Sequence, residues 1–192
     1  MCGRYKLSRR KQIVEEYFDT AVSDDPEWNP RFNVAPTQPV PVIRQNLKEP
    51  IRELSLMRWG LIPRWAKDPS ASAKFCFEVN DGQLFAFAGL WDRWKDATGK
   101  SVETCSILTT TPNAVTAAVH DRMPVILDPD AYGVWLDPWM KDVSAASELL
   151  KPFDARLMRC FPVSNRVNHV ANDDEECSAP VELAETQKPL FS

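Results

Sequence analysis

The sequence predicts a single domain of the α+β or mainly β class, on two observations. The chain has 192 residues, 44% of them hydrophobic and seven of them Trp, which is enough for one domain with a substantial core. Sixteen prolines against six glycines are spread between short apolar runs. This pattern is typical of many short elements joined by fixed turns, and it disfavours long parallel βαβ repeats.

One helix is predicted near the start of the chain, over residues 8–19. Ser8 can accept a hydrogen bond from a free N–H of the first turn, as N-terminal caps do. The apolar residues recur at helical spacing, so they are expected to form one buried face. That face consists of Ile13, Val14, Tyr17 and Phe18.

Strands are predicted over most of the remaining chain. Short apolar runs bounded by turn residues predict strands at 31–36, 39–45, 51–61, 105–110, 123–127 and 157–163. The turn signal Asn80-Asp81-Gly82 predicts that 75–79 and 84–91 form a hairpin. Short helices are predicted at 112–120, 130–136 and 144–150, and solvated segments at 67–73, 173–176 and the last ten residues.

The net charge of −4 excludes a protein that coats nucleic acid with a uniformly basic surface. A local basic cleft remains compatible with it, because the local field rather than the net charge attracts phosphate. No apolar run approaches the roughly 18 residues of a membrane helix, and the first residues carry no secretory h-region. We therefore expect no membrane partner and a cytoplasmic location, associated with the nucleoid if the source is bacterial.

Five cysteines are scattered along the chain without a CxxC motif or a Cys/His ligand spacing. They indicate neither a disulfide framework nor a metal site. We expect four of them, Cys76, Cys105, Cys160 and Cys177, to be inert small hydrophobes. Cys2 differs, because it becomes the N-terminal residue if Met1 is removed.

An N-terminal cysteine has a chemistry that no internal cysteine has. Its α-amine is partly neutral at pH 7 and its thiol is partly ionised. The amine can form a Schiff base with an aldehyde, and the thiolate can then close a thiazolidine ring. Gly3 lets the backbone approach a ligand closely, and Arg4 places a cation beside the nucleophile. Many proteins carry an unused Cys at this position, so a bland role for Cys2 stays an alternative.

Seven sequence blocks carry a specific resemblance. They are MCGRY (1–5), RFNVAPTQ (31–38), RWGLIPRWAKDP (58–69), FAFAGLWDRW (85–94), TTTPN (109–113), HDRMPVIL (120–127) and PVSNRVN (162–168). In this order they resemble the SRAP family, the SOS-response-associated peptidase fold. The resemblance implies one α+β, mainly β domain over 1–183 with a barrel-like antiparallel sheet core and a few short helices, followed by a frayed tail over 184–192.

The resemblance also implies a function. Such proteins sense abasic sites in single-stranded DNA during the DNA damage response, and they cross-link the ring-opened deoxyribose aldehyde to the N-terminal cysteine as a thiazolidine. Single-stranded DNA with an abasic site is the expected partner, and its capture costs little because there is no base to unstack. Replication-fork proteins are a second candidate class of partner, and we expect a monomer. This chemistry needs no metal and no organic cofactor.

Individual residues receive expected roles from their own chemistry, and the resemblance adds that His120 stabilises the ring-opened sugar or its adduct and assists reversal of the link. Cys2 is the expected nucleophile, His120 the expected proton carrier, and Asp121 is expected to orient a neighbouring side chain. The expected DNA contacts are Gly3, Arg4, Asn33, Pro36, Arg58, Trp59, Trp65, Lys67, Thr110 and Arg122. The alternatives are core positions for the tryptophans, turn chemistry for Asn33 and Pro36, and surface solvation for the basic side chains. His169 is expected to be structural.

One stretch of the family pattern is absent near residues 70–75. The family has a few dozen residues there, with an Asn-Ala-Arg motif and a Gly-Phe-Tyr-Glu-Trp-like motif that supplies an active-site glutamate. Here ASAK (71–74) leads directly into FCFEV (75–79), and neither Glu53 nor Glu78 matches that glutamate. Three explanations remain open. The stretch is omitted from the written sequence, it was cut out of the protein for expression, or it was lost in a natural deletion.

Three other functions are kept as alternatives. An N-terminal-nucleophile hydrolase, such as a type II glutamine amidotransferase, also uses a freed Cys2, but its further motifs are not found. A peptidase activity is expected to reach no further than N-terminal processing. A non-catalytic module that binds single-stranded DNA or protein fits if the missing stretch is a true deletion.

Overall fold

Short strands make up most of the regular structure in residues 3–60, 75–95 and 98–182, which the computed structural model describes. The strands are β1 (Tyr5–Leu7), β2 (Thr20–Ala21), β3 (Arg31–Val34), β4 (Pro39–Gln45), β5 (Arg52–Trp59), β6 (Phe75–Val79), β7 (Ala86–Phe87), β8 (Gly89–Lys95), β9 (Ser101–Ile107), β10 (Thr109–Thr110), β11 (Met123–Pro124), β12 (Ile126–Leu127) and β13 (Met158–Pro162). The helices are α1 (Lys11–Phe18), α2 (Tyr132–Leu136) and α3 (Val143–Glu148). The predicted α+β, mainly β class is confirmed.

The largest sheet is built around β5. β4 pairs antiparallel with β5 along its length, from Pro39 opposite Arg58 to Gln45 opposite Arg52. On the other edge, β5 pairs in parallel with β2 at its start and with β9 at its end. β8 then continues the sheet antiparallel to β9. The five-stranded sheet is therefore mixed, where a purely antiparallel core was expected.

The other strands pair two by two: β1 with β3, β6 with β13, β7 with β12 and β10 with β11. Among the described residues these sheets do not close into a barrel. The predicted hairpin of 75–79 with 84–91 is wrong, because β6 pairs with β13 and β7 pairs with β12. The residues Asn80–Gly82 do form a tight turn, and all three have positive φ. The turn signal is therefore correct, but the two strands that flank the turn pair with other strands and not with each other.

Three backbone segments meet at a closed ring of hydrogen bonds between Ala88, Leu108 and Val125. The N–H of Ala88 donates to the Val125 carbonyl, that of Val125 to Leu108, and that of Leu108 to Ala88, each at 2.9 Å. Ala88 and Val125 are fully buried. A side chain at the adjacent Gly89 would put its Cβ 3.1 Å from the carbonyl oxygen of Ser106, so this close approach favours glycine. The ring adjoins the strands β10, which begins directly after Leu108, and β11, which ends directly before Val125.

Helix α1 begins at Lys11, three residues after the predicted cap Ser8. Arg10 occupies the cap position and makes no side-chain capping bond. The predicted apolar face is correct for Val14 and Phe18, which are buried, and wrong for Ile13 and Tyr17, which are exposed. The buried stripe is completed by two charged residues, Lys11 and Glu15, whose side chains pair with each other.

The predicted helix at 112–120 is instead a series of turns over 114–119. Oδ1 of Asn113 accepts the backbone N–H groups of Val115 and Thr116, which opens the series as an Asx turn. The carbonyl of Thr116 then accepts the N–H of His120 at 2.9 Å. These bonds hold His120 at a fixed place without a helix. No helix in the described part of the chain is long and apolar enough to cross a membrane.

Candidate functional site

Arg4 lies just before β1, and its guanidinium is held by three oxygens. Nη1 donates to Oδ1 of Asn33 at 2.7 Å and to the Val167 carbonyl at 2.8 Å, and Nη2 donates to the Asn168 carbonyl at 3.3 Å. Burial lowers the pKa of Arg4, and the nearby Cys177 raises it in part. An arginine remains charged under such a shift. The bonds therefore fix a cation directly after Cys2 and Gly3.

Asn33 on β3 is 0% exposed, and both polar atoms of its side chain are hydrogen-bonded. Oδ1 accepts from Arg4, and Nδ2 donates to the carbonyls of His169 and Asn172 at 3.0 and 2.7 Å. Asn33 therefore joins the N-terminal strands to the 165–173 segment. A direct contact of Asn33 with DNA stays a prediction that this burial disfavours. His169 takes part through its backbone, in line with the structural role expected for it.

Asp173 closes the same joint from the other side. It pairs with the side chain of Arg31 and accepts the backbone N–H groups of Phe32 and Asn33 at 2.6 and 2.8 Å. Burial alone would raise the pKa of Asp173, but these hydrogen bonds outweigh it and lower that pKa. The block RFNVAPTQ thus contains the residues that attach β3 to the end of the domain.

Pro36 opens a turn that lies beside Trp59. Thr37 has φ of 77° in this turn, and its N–H donates to the Trp59 carbonyl at 2.8 Å. The N–H of Trp59 donates in return to the Gln38 carbonyl at 3.0 Å. These bonds hold a backbone conformation that threonine rarely adopts. The structure supports the turn-chemistry interpretation of Pro36.

Trp59 is a core residue in this structure. It is 8% exposed, packs with Met57 and Cys105, and meets the ring of Tyr5 at a centroid distance of 5.3 Å. This favours the core alternative over stacking on DNA. Arg58, the preceding residue on β5, is exposed. Trp65 and Lys67, like Cys2, lie outside the described residues.

His120, Asp121 and Arg122 form the second half of the candidate site. The His120 side chain is 39% exposed, with Nδ1 2.7 Å from Oδ1 of Asp121 and 3.1 Å from the backbone nitrogen of Arg122. The Arg122 side chain turns to Thr109, donating to its hydroxyl at 2.9 Å and to its carbonyl at 2.7 Å. Sequence reasoning selected Thr110, but Thr109 is the residue that holds Arg122. Thr110 is half-buried on β10 and pairs with Met123.

Residues from both halves line common open space. A cavity of about 1650 Å³ has Gly3, Arg4, His120 and Arg122 in its wall. A smaller cleft of about 50 Å³ has Arg4 and Arg122 in its wall, together with Tyr5 and Trp59. The fold therefore brings together two arginines and a histidine that are far apart in sequence, at the place where the N-terminus enters the domain.

The cysteines in the described part of the chain form no disulfide. Cys105 and Cys177 are buried, and Cys76 and Cys160 are half-buried. Burial raises the pKa of Cys105 to about 11 and also raises that of Cys160, which keeps both thiols protonated at neutral pH. No group of metal-ligating side chains occurs among the described residues.

Known proteins similar to this chain include both bacterial and animal relatives. The family model of the SOS response associated peptidase (SRAP) matches residues 1–76 and 70–170. The abasic site processing protein YoqW of Bacillus subtilis (strain 168) is 31% identical over 221 residues, covering 92% of this chain and 98% of YoqW. The abasic site processing protein HMCES of Gallus gallus is 26% identical over 266 residues, covering 95% of this chain and 79% of HMCES.

A solved structure of a protein from Bacteroides thetaiotaomicron has the same fold. It superposes with a TM-score of 0.65 at 23% identity and covers 94% of this chain and 100% of its own. The family model covers most of the chain, and YoqW is aligned along nearly all of it. On these matches, this chain belongs to the SRAP family.

Proposed function

We propose that this protein processes abasic sites in single-stranded DNA by forming a covalent cross-link through Cys2. The observation that carries the proposal is the common cavity wall of Gly3, Arg4, His120 and Arg122. Gly3 is bonded to Cys2, so the expected nucleophile is attached to the wall that also contains the expected proton carrier. The relatives YoqW and HMCES are named abasic site processing proteins, which supports an abasic site as the substrate.

The proposed reaction joins one aldehyde to one aminothiol and releases one water. The closed deoxyribose first opens, as its C1 hydroxyl loses a proton and the ring oxygen gains one. The free α-amine of Cys2 then adds to the C1 aldehyde, and loss of water gives a Schiff base. The Cys2 thiolate adds to the Schiff-base carbon, and the nitrogen takes up a proton. His120 is proposed to carry protons in the opening and dehydration steps.

Arg4 and Arg122 are proposed to bind the phosphates on either side of the abasic sugar. Each guanidinium is held by oxygens of the protein, so each cation is fixed before DNA arrives. Fixed cations lose little conformational entropy on binding, and they direct a charged strand to the cavity. A local pair of this kind is compatible with the negative net charge of the chain.

The test is incubation with a single-stranded oligonucleotide that contains one abasic site, followed by a denaturing gel. The proposal expects a heat-stable adduct, which Cys2→Ala abolishes and Cys76→Ala retains. Cys76 is a suitable control because it is a half-buried thiol on the same cavity wall. Absence of an adduct, or an undiminished adduct from Cys2→Ala, would overturn the proposal.

A second candidate function, binding of single-stranded DNA without a cross-link, follows if an internal segment is truly absent. The two matches to the family model meet at residues 70–76. The alignment with YoqW is 221 positions long, but the part of this chain that it covers, 92% of 192 residues, is several dozen residues shorter than that. Both observations support the interpretation that the domain lacks a segment near 70–75. Loss of the active-site glutamate expected there would make cross-linking slow or absent.

A graft separates the two candidates. The positions of YoqW that have no counterpart here are inserted between Lys74 and Phe75. If the segment is missing, the graft raises the melting temperature and accelerates adduct formation, while an insert of the same composition in scrambled order does neither. If the chain without the graft already forms the adduct as fast as YoqW, the second candidate is overturned.

A further inference from the structure

The two contacts of the His120 ring are chemically opposed. Nδ1 lies 3.1 Å from the backbone nitrogen of Arg122 and 2.7 Å from Oδ1 of Asp121. An imidazole nitrogen has either a lone pair, and accepts from an N–H, or a proton, and donates to a carboxylate. Nδ1 can therefore make only one of these two hydrogen bonds at a time.

Each hydrogen bond corresponds to one state of the ring. When Nδ1 accepts from the N–H of Arg122, the neutral ring carries its proton on Nε2, which can only donate. When Nδ1 donates to Asp121, Nε2 of the neutral ring has a lone pair and can take up a proton. The carboxylate also stabilises the imidazolium that forms when Nε2 does so.

We infer that Asp121 is a positioning residue that selects the Nδ1-protonated form of His120 and so leaves Nε2 as the ring nitrogen that can accept a proton. The competing partner is the backbone N–H of Arg122, which favours the opposite tautomer. The state of the ring is inferred from its contacts alone. Its consequence for cross-linking rests on the proposed function.

The charges around the ring are consistent with this assignment. The Arg122 guanidinium is turned to Thr109, whose hydroxyl and carbonyl it contacts at 2.9 and 2.7 Å. In the described residues, the ion pair that involves Asp121 is the one with His120. Arg4 lines the same cavity, but its guanidinium is bound to Asn33 and to the carbonyls of the 165–173 segment. The Asp121 carboxylate is thus the anion that faces Nδ1.

Exposure sets the size of the expected effect. The Asp121 side chain is 86% exposed and that of His120 is 39% exposed, so water screens the pair. Because exposed ion pairs contribute little free energy, we expect loss of the Asp121 carboxylate to slow the reaction by only about three- to fivefold. A buried carboxylate in a catalytic triad changes the rate by about 10⁴-fold, and we expect nothing of that size here.

Nuclear magnetic resonance measures the protonation state of the ring directly. The signals are easy to assign, because the chain has only two histidines. In a His169→Gln background the remaining ring signals belong to His120. Asp121→Asn is expected to move the titration midpoint of His120 to lower pH by less than about one pH unit. The ¹⁵N shifts of the neutral ring are expected to move toward the Nε2-protonated tautomer. Asp130→Asn, an exposed aspartate nine positions away, serves as the matched control and should change neither quantity.

Cross-linking supplies the second readout. Asp121→Asn should slow adduct formation about three- to fivefold at pH 7 when the protein saturates the DNA, and Asp121→Glu should recover most of the rate. An unchanged tautomer and midpoint in Asp121→Asn would overturn the inference. A changed tautomer with an unchanged rate would overturn its role in the reaction. If the parent chain forms no adduct, the proposed function fails, and the resonance measurement still decides the inference.

Discussion

Arg4 donates to Oδ1 of Asn33 at 2.7 Å, and this contact ties the start of the chain to the end of the domain. Asn33 has no exposed surface, and its amide nitrogen binds two carbonyls of the 165–173 segment. The position of Arg4 therefore depends on a buried amide on β3. The block RFNVAPTQ around Asn33 supplies three residues of this joint, Arg31, Phe32 and Asn33.

Replacing Asn33 with alanine tests the joint. The substitution removes the hydrogen bond from Arg4 and the two bonds to the carbonyls of His169 and Asn172, so we expect a loss of about 2–4 kcal/mol in the free energy of unfolding. Urea denaturation measures this loss. Asn29→Ala, at an exposed position nearby, should change stability by less than about 0.5 kcal/mol. Equal stability of Asn33→Ala and the parent would contradict the joint.

Asp173 gives this joint a dependence on pH. Because its pKa is lowered in the folded state, Asp173 stabilises the fold above its unfolded pKa, about 3.9, and this stabilisation is lost as the pH falls through the lower folded value. Asp173→Asn should therefore cost about 2 kcal/mol at pH 7, and the deficit should shrink below about pH 4. Denaturant unfolding at several pH values tests this, with exposed Asp24→Asn as control. A deficit that stays constant down to pH 2 would refute the charge-based account.

Local sequence signals were sufficient for strands with marked ends. The predicted 39–45 and 75–79 coincide with β4 and β6, since a proline or a turn bounds each of them. Pairing was not predictable, because Glu78 of β6 meets Arg159 of β13, 81 positions away. β1 was not predicted, since a strand of three residues is formed by its partner β3 rather than by its own pattern.

The candidate site was predictable where one residue has its own chemistry. The sequence pointed to Arg4, His120 and Arg122, and these line one cavity. Thr109 was missed, because its role depends on the pairing of β10 with β11. This pairing brings the Thr109 hydroxyl within hydrogen-bond distance of the Arg122 guanidinium. For Trp59, the sequence left core and DNA contact equally open, since an aromatic residue suits both.

Trp59 and Trp139 form a matched pair for deciding that question. Trp59 is 8% exposed and packs against the ring of Tyr5, whereas Trp139 is 74% exposed. Trp59→Ala should cost about 3–5 kcal/mol of unfolding free energy, and Trp139→Ala should cost little. Thermal or urea unfolding of both variants gives the answer. A Trp59→Ala protein of parental stability that has lost DNA affinity would show a DNA contact instead.

Arg122 should contribute a phosphate contact. Arg122→Gln is expected to reduce the slope of log affinity against log salt concentration by about one, because one fewer counterion is released. Arg122→Lys should keep most of the slope but lose affinity, since an ammonium cannot reproduce the two bonds to Thr109. Titration of a fluorescent oligonucleotide at several salt concentrations measures this. Arg156→Gln, at an exposed arginine outside the cavity wall, is the control, and an equal effect of both variants would argue against a specific contact.

The central claim is the covalent chemistry of Cys2, and intact mass spectrometry of the adduct tests it most directly. The account predicts a mass equal to the protein without Met1 plus the abasic oligonucleotide less one water. Peptide mapping should assign the link to Cys2, and treatment with borohydride should leave the mass unchanged, because a thiazolidine has no C=N bond to reduce. An adduct at a lysine, or one that gains two hydrogens with borohydride, would contradict the account.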